Sequence, residues 1–577
     1  MRRWISAILA ILVIGVGPAD AANKSKKAQS FPDLCLEIIE NLASHNPVTA
    51  TQMGIHSYDN RLADYSLAGV RQFVRILKQY ESRLTVALKQ IKTADDSLDW
   101  KLIKSNVDVA LLNLDRIAWY KESPQLYVDE ALNGIYYLTI SQHAALDAKV
   151  PSILARLRAI PALFTTAKQN VRKPPAVWVQ SARMTLDAAQ EFFRVLGESL
   201  SDEFPNREPE ISRAVNGARD AMSSFQTWLA GVQTGDDKGF AIGKDAFDYL
   251  LRNEYFLPYD SDSLLKIGEG LLTWSQKVYD DYEKVIESQH QTGQDSVFVP
   301  ASFTRQDILD YYQWETDQIR LFLEINEIVT VPDDIADVAV VETPAFMRPL
   351  HGGIAYEPAG PFDSLQQPLF YVRPLPDSMD REQLEAKYRY VHRRGFKGSV
   401  VHEAYPGHHL QMQIAGRNPD PVRKWQYNTM MIEGWALYCE EMMYAAGLYG
   451  PDNPQQWLGI LGGIRYRAAR IVADVKLHTG QFTYDECVDW MNKVLEAETE
   501  ADEQYIRSEV RRYTYTPTVQ MSYLMGKREI EMLKEAAQRR DGSSFSEKAF
   551  YDRILAEGSI PPALLWKVLG LTPGTGN

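Results

Sequence analysis

Apolar residues recur at steps of three and four through most of this chain, and this helical periodicity is the strongest constraint on its fold. It extends from Phe31 to about Leu272 and is interrupted only by short turns that contain Pro, Gly or Asn. The pattern continues over residues 263–289 and 305–328, and it resumes from about Asp380 to Leu569. We therefore predict a mainly α protein with a large helical body. The clearest helical segments are residues 67–91, 98–120, 153–171 and 178–200.

A segment with a different residue pattern separates the helical regions. Between Val329 and Pro376 prolines are dense and apolar residues occur in short runs, which is typical of strands bounded by turns. These runs are residues 338–342, 353–356 and 369–372. We predict that they form a small β element. We also predict an N-terminal helical half over residues 22–300 and a C-terminal half over residues 301–577 that contains the strands and the candidate site.

The charge balance and the cysteines exclude several classes of protein. The chain has 62 Lys plus Arg and 76 Asp plus Glu, so its formal net charge is −14. An acidic surface repels phosphate backbones, so we expect no nucleic-acid partner. The three cysteines are odd in number and widely spaced, which predicts neither a disulfide framework nor a thiolate metal site.

The first residues have the organisation of a secretory signal peptide. Arg2 and Arg3 precede an apolar run over residues 5–16, and small residues follow at Ala19 and Ala21. Signal peptidase recognises small residues at these two positions, so cleavage is predicted after Ala21. A run of this length is too short to span a bilayer comfortably.

We therefore expect an exported protein, periplasmic or secreted after residues 1–21 are removed. No later stretch reaches the roughly 18 apolar residues of a membrane helix, so no stable membrane insertion is expected. Lipid attachment at Cys35 is not expected either, because this residue lies inside an amphipathic helical pattern.

Three of the ten histidines fall within eight residues, at His402, His408 and His409, and Glu403 follows the first of them. Zinc hydrolases place a glutamate directly after a histidine ligand, with another histidine further along the helix. The imidazoles hold the metal, and the carboxylate reaches the water that attacks the substrate. This cluster therefore predicts a Zn²⁺ site with Glu403 as general base.

The spacing departs from the usual motif, because the position four residues after His402 is Pro406. An ideal helix would separate His402 and His408 by roughly 9 Å along its axis and turn them to different sides. Proline lacks the N–H that would continue the helix, and Gly407 tolerates unusual backbone angles. We predict that these two residues bulge the helix and return a later histidine to the metal. His408 is the preferred second ligand and His409 is the alternative.

A third ligand is predicted on the next helix. Pro419 and Pro421 end the first helix, and a second helical pattern runs from about Lys424 to Ala446. If the two helices fold back about residue 420, Glu433 lies at the height of His408. Glu433 is therefore the favoured carboxylate ligand, and Glu440 is either an outer carboxylate that orients a ligating histidine or an alternative ligand.

Two segments also carry a family resemblance: HEAYPGHHLQ over residues 402–411 and EGWALYCEE over residues 433–441. They resemble the bacterial family known as domain of unknown function 885. Further similar segments are residues 47–64, 250–259, 342–363 and 511–530, so the resemblance covers nearly the whole mature chain. It implies a helical metallopeptidase-like fold related to the oligopeptidase and carboxypeptidase gluzincins. It also implies zinc held by His402, His408 or His409, and Glu433, with Glu403 as base.

Other residues are candidates for the chemistry around the metal. Glu403 can accept the proton of the attacking water and pass it to the leaving amine. A hydrogen-bond donor must also stabilise the developing oxyanion, and neutral His or Tyr side chains can supply one. His478 and Tyr523 are the preferred donors on the C-terminal helices, and Tyr513 and Tyr515 are further candidates.

Substrate contacts are predicted in two regions. Arg465, Arg467 and Arg512 could bind the terminal carboxylate of a peptide in a bidentate manner, with Tyr513 beside them, although an ordinary helix salt bridge is the favoured interpretation of any one of these arginines. Tyr356 ends the predicted strand 353–356. An exposed strand edge near the zinc helix can hold a substrate main chain, and a structural hairpin is the alternative.

The leading prediction is an exported zinc metallopeptidase that hydrolyses short peptides in a cleft between the two helical halves. One alternative is a non-catalytic binding or scaffold protein that retains this fold. Another is an iron oxygenase, which uses the same set of two histidines and one carboxylate. The presence of Glu403 favours the peptidase, because neither alternative needs a base at this position. The sequence specifies neither the oligomeric state nor the choice between endo and exo cleavage.

Overall fold

The structure is a computed structural model, and it describes residues 30–288, 297–343, 354–376, 378–394, 396–450 and 453–572. The predicted signal peptide over residues 1–21 lies outside the described residues. Residue 353, the first of the predicted second strand, also lies outside them.

Helices form most of the chain up to residue 325, as the periodicity predicts. Serine or threonine side chains cap several of them by accepting a backbone N–H from the first turn. They are α1 (Phe31–His45), α2 (Pro47–Gln52), α3 (Leu67–Ala87), α4 (Ala94–Leu111), α5 (Pro124–Ile140), α6 (Leu146–Asn170), α7 (Ala176–Glu203), α8 (Glu208–Gly231), α9 (Lys244–Asn253), α10 (Ser261–Ser288) and α11 (Arg305–Ile325).

One predicted helix ends differently from the expectation. The pattern over residues 98–120 predicts a continuous helix, but α4 ends at Leu111 and a π-helical turn follows over Leu112–Ile117. The N–H of Ala118 then bonds the carbonyl of Asn113, and Ala118 takes a left-handed backbone with φ of 57°. A residue in this conformation stops a right-handed helix.

The three short apolar runs form one small sheet. Its strands are β1 (Ala339–Glu342), β2 (Ala355–Glu357) and β3 (Leu369–Val372). Their order is β1-β3-β2, with β1 parallel and β2 antiparallel to β3. Strand β2 is therefore at the edge of the sheet, where Tyr356 pairs with Phe370 on one side only.

The loop after β2 is anchored to the N-terminal part of the chain by His56. Its Nδ1 lies 2.9 Å from Asp59 and its Nε2 lies 2.7 Å from Asp363. Burial alone would lower the pKa of His56, but these two carboxylates raise it to about 9. A protonated imidazole thus links the segment after α2 to the loop that follows the edge strand.

Helices continue from residue 381 to residue 568. They are α12 (Arg381–Arg394), α13 (Lys397–Glu403), α14 (His408–Gly416), α15 (Pro421–Trp425), α16 (Thr429–Ala445), α17 (Pro454–His478), α18 (Tyr484–Leu495), α19 (Glu500–Tyr513), α20 (Val519–Asp541), α21 (Glu547–Ala556) and α22 (Pro562–Val568). The prediction of a mainly α protein with a small β element is confirmed.

Two hydrophobic cores hold most of these helices together. The largest contains residues from both sides of position 300, including Leu77 of α3, Ile319 of α11 and Trp435 of α16. A second core lies among α5–α8, with Phe164 and Phe192 fully buried. The division into two halves stays a prediction. Within the described residues, no helix combines the length and the apolar character needed to cross a membrane.

Candidate metal centre

The histidine segment folds as two helices with a sharp break between them. Helix α13 ends at Glu403, the peptide bond before Pro406 is cis, and α14 begins at His408. Gly407 makes the break possible, because a Cβ at this position would lie 1.9 Å from the carbonyl oxygen of His402. Only glycine allows so close an approach of the two backbone segments.

The break brings three side chains toward one point. Nε2 of His402 lies 3.7 Å from Oε2 of Glu433, and Nε2 of His408 lies 3.5 Å from the same oxygen. Two ligands of a tetrahedral zinc, each about 2.1 Å from the ion, are about 3.4 Å apart. These separations exceed those of strong hydrogen bonds and match the spacing of ligands that share one ion. The residues present therefore fit a zinc ion.

A fourth charged group lies within the same cluster. Glu403 offers a carboxylate oxygen that lies within 4.8 Å of one ring nitrogen of His402 and one of His408. The two imidazole rings are nearly perpendicular, with centroids 4.9 Å apart. Nδ1 of His408 is buried and has no hydrogen-bond partner in the described part of the chain.

Glu440 occupies the position of an outer partner of the candidate ligands. Its Oε1 lies 2.9 Å from Nδ1 of His402, which leaves Nε2 of this histidine facing Glu433. Arg467 lies behind it, with Nη2 3.7 Å from the same oxygen. A carboxylate that holds the second nitrogen of a ligating histidine fixes its tautomer and ring orientation.

The charges of the cluster favour a bound cation. Burial raises the pKa of Glu433, but the imidazoles of His408 and His402 hold it well below its usual value. Burial lowers the pKa of His402, but the neighbouring carboxylates of Glu433 and Glu440 raise it to about 10. Glu433 and Glu440 thus stay ionised in a largely enclosed site, and a divalent ion would displace the proton of His402 and offset their charge in its place.

Glu403 contacts the edge of the sheet. Its Oε2 accepts a hydrogen bond of 3.2 Å from the backbone N–H of Tyr356 on β2. The outer edge of β2, which is not paired with β3, is therefore beside the carboxylate that was predicted as base. The sequence predicts a strand edge near the helix that carries His402 and Glu403, and in the structure the two lie together.

His409 faces away from the cluster. Its Nδ1 lies 3.2 Å from the hydroxyl of Tyr356 and its Nε2 lies 3.1 Å from the hydroxyl of Tyr405. The ring is completely buried, and burial lowers its pKa to about 3. Of the two histidines offered for the second ligand, only His408 lies opposite Glu433.

Tyr523 lies close to the cluster because α16 and α20 pack closely. A Cβ on Gly434 would lie 2.5 Å from the backbone of Gly526, so the helices touch through glycines. Burial and the charge of Glu433 raise the pKa of Tyr523 to about 12, so its hydroxyl stays protonated at neutral pH. Arg470 stacks on the ring of Tyr523 at 4.1 Å.

Tyr427 is a residue of this region that the sequence analysis does not identify. It is 52% exposed, yet burial raises its pKa, followed by the charges of Glu433, Glu357 and Glu403. Tyr427 thus contacts water while many protein atoms surround it. This combination is typical of a residue in the wall of a cleft, and not of one on the outer surface. Its only sequence signal is its place directly before Asn428, which caps α16.

The remaining predicted residues have other partners. His478 is fully buried, and its Nε2 lies 2.9 Å from the carbonyl oxygen of Tyr513. The hydroxyl of Tyr513 bonds Tyr466, Arg465 bonds Glu496, and Arg512 bonds Glu509. Among the described residues no hydrogen bond or ion pair joins these four to the cluster. Arg467 reaches it through Glu440 instead of through a substrate pocket.

Known proteins resemble this chain in family and in fold. Residues 47–569 match the family described as bacterial protein of unknown function (DUF885). A candidate lipoprotein of unknown function from Shewanella oneidensis has a TM-score of 0.73 and 22% identity, over 94% of this chain and 100% of that one. A candidate lipoprotein from Colwellia psychrerythraea has a TM-score of 0.71 and 18% identity, over 94% and 99%. These identities establish a common fold alone. No curated protein matches the chain.

Proposed function

This chain belongs to the DUF885 family of bacterial proteins, and we propose that it is an exported zinc-dependent peptidase that hydrolyses short peptides. The observation that carries the proposal is the approach of His402, His408 and Glu433 to one point, with Glu403 beside them. The resemblance of this segment to the DUF885 family, which implies a fold related to the gluzincin peptidases, favours the same activity.

Zinc would be held by His402, His408 and Glu433, with Glu440 orienting His402. When bound, the ion supplies a Lewis acid that polarises a carbonyl and activates water. Two histidines, one carboxylate and an open position form the usual ligand set of catalytic zinc in peptidases.

Glu403 accepts the proton of the attacking water and returns it to the leaving amine. General acid–base catalysis of this kind contributes about 10² to 10⁴ in rate. The N–H of Tyr356 keeps one carboxylate oxygen in place, which leaves the other free to accept a proton. The same strand edge provides backbone groups beside which an extended substrate can lie.

The hydroxyl groups of Tyr523 and Tyr427 are the donors that suit a developing oxyanion. Each keeps its proton at neutral pH, and each lies within electrostatic reach of Glu433. Fixed donors aimed at developing charge act strongly in a site that excludes bulk water. Tyr523 is a donor that the sequence predicts, whereas Tyr427 is a donor that the sequence does not indicate.

Export is part of the proposal. The predicted signal peptide over residues 1–21 supports it, and so do the two solved relatives described as lipoproteins. Expression in a bacterial host should yield a mature chain that begins at Ala22 and is released with the periplasmic fraction. Mass spectrometry of an uncleaved chain in the cytoplasmic fraction would contradict this.

Metal content and peptide hydrolysis should be measured together on the purified mature chain and on Glu403→Gln. We expect about one zinc per chain in both proteins, and hydrolysis of a mixed short-peptide library by the wild type alone. A Glu403→Gln variant with full activity would refute the role of Glu403. Zinc without hydrolysis in either protein would favour the binding protein, and iron in place of zinc would favour the oxygenase.

A further inference from the structure

A carboxylate at the end of the edge strand has no role in the proposed chemistry. Glu357 follows Tyr356 on β2 and points to the opposite face of the sheet from it, since strand side chains alternate. Its Oε2 accepts a hydrogen bond of 3.1 Å from the hydroxyl of Tyr136 on α5. No other hydrogen bond or ion pair of the Glu357 carboxylate is found among the described residues.

The environment of Glu357 is unusual for an ionised side chain. Burial raises its pKa to about 7, and the hydrogen bond from Tyr136 offsets this only in part. Within the described residues, no lysine or arginine lies close enough to pair with it. A desolvated carboxylate without a cation is costly to maintain, and a cationic ligand would remove that cost.

Glu357 also faces space that a small group such as an ammonium can fill. It lines a cavity of about 40 Å³ together with Tyr137, Ile140, Pro358 and Leu369. The cavity lies between α5 and the loop after β2.

Glu357 itself lies close to the candidate metal centre. The charges of Glu357, Glu403 and Glu433 all act on Tyr427. The residue before Glu357 donates its N–H to Glu403. An extended chain advances about 3.3 Å per residue along a strand. A group held by Glu357 therefore lies one or two residues from a peptide bond placed beside Glu403.

We infer that Glu357 binds the ammonium group of the substrate, so that the protein selects peptides with a free amino terminus and releases one or two residues from that end. This inference rests on the proposed peptidase function and adds the substrate class to it. The predicted partners for the carboxyl end of a peptide are less suited to bind it, because Arg465 is already bonded to Glu496 and Arg512 to Glu509.

Equilibrium binding tests the inference without requiring turnover. Calorimetry should compare trialanine with N-acetyl-trialanine on the zinc-loaded mature chain carrying Glu403→Gln. A charge-assisted hydrogen bond in a desolvated site predicts binding of trialanine about 10- to 100-fold tighter than the acetylated peptide. Adding Glu357→Gln should abolish this preference. An acetylated peptide with an N-terminal lysine tests whether a side-chain ammonium group can substitute.

Matched variants keep the result interpretable. Glu203→Gln, on the exposed end of α7, should leave the preference unchanged. Tyr136→Phe removes the hydrogen bond to Glu357 and should weaken the preference, which tests the site if Glu357→Gln fails to fold. Equal affinity for the free and acetylated peptides, or a preference that survives Glu357→Gln, would overturn the inference. Failure of the wild type to hydrolyse any peptide would refute the peptidase but not the ammonium site.

Discussion

Replacing Gly407 by alanine tests the link between the helix break and the metal centre. The new Cβ would lie 1.9 Å from the carbonyl oxygen of His402 and 2.4 Å from that of Val401. Carbon and oxygen atoms in contact are normally at least about 3.3 Å apart. The turn between α13 and α14 must therefore open by about 1.4 Å, the difference between 3.3 and 1.9 Å.

This displacement has two consequences. Metal sites tolerate ligand shifts of only about 0.2 Å, so His402 and His408 should no longer bind one zinc ion together. Overpacking a buried site costs about 1–3 kcal/mol, so the free energy of unfolding should also fall by this amount. Zinc retained after dialysis against a chelator and denaturant unfolding of the metal-free protein measure the two effects separately.

Gly416→Ala is the matched control, because it lies at the end of the same helix. A Cβ there would lie 3.6 Å from its nearest neighbour, Pro361, which is an ordinary contact. We expect this variant to keep its zinc and its stability. Wild-type zinc retention and stability in Gly407→Ala would refute the reasoning that the close backbone approach builds the site.

Three further predictions follow from other contacts. His408→Gln should lose zinc and hydrolysis, whereas His409→Gln should keep its zinc and lose only stability; the opposite result in metal analysis would make His409 the ligand. Glu440→Gln should lower zinc affinity by about 10- to 100-fold, measured by chelator competition, because it orients His402; unchanged affinity would remove that role. The pKa of His56 is raised from 6.5 to about 9, so its stabilising contribution is present below pH 6.5 and is lost as the pH rises through 9. Between pH 7 and 9.5 the free energy of unfolding should fall by about 2 kcal/mol in the wild type and much less in His56→Gln, and equal pH profiles from denaturant titration would contradict this.

Periodicity made most of the fold predictable. Helices α3, α6 and α7 agree with the predicted segments to within several residues, and the three strands agree to within two residues in the parts that are described. These elements bury one face, so the spacing of apolar residues records their geometry. The π-helical end of α4 was not predictable, because the residues around Asn113 carry the same periodicity as the helix before them.

The residue types of the candidate site were predictable from the sequence, but the directions in which the side chains point were not. His402, Glu403, His408 and Glu433 could be chosen from spacing, because histidine and carboxylate ligands need to approach one ion from adjacent helices. Arg465 and His478 were chosen by type alone, and the structure gives them partners elsewhere. A local pattern contains no information about which distant carboxylate or carbonyl a side chain will meet.

The sequence by itself determined that the chain is mainly helical, that a small strand element interrupts it, and that a histidine–glutamate cluster lies at a proline–glycine break. Only the tertiary structure decided that His408 and not His409 faces Glu433, that Glu440 holds His402, and that Glu357 faces a cavity. The reason is physical. Backbone periodicity is a local property of neighbouring residues, whereas the direction of a side chain after a helix break depends on backbone angles that close packing with distant segments selects.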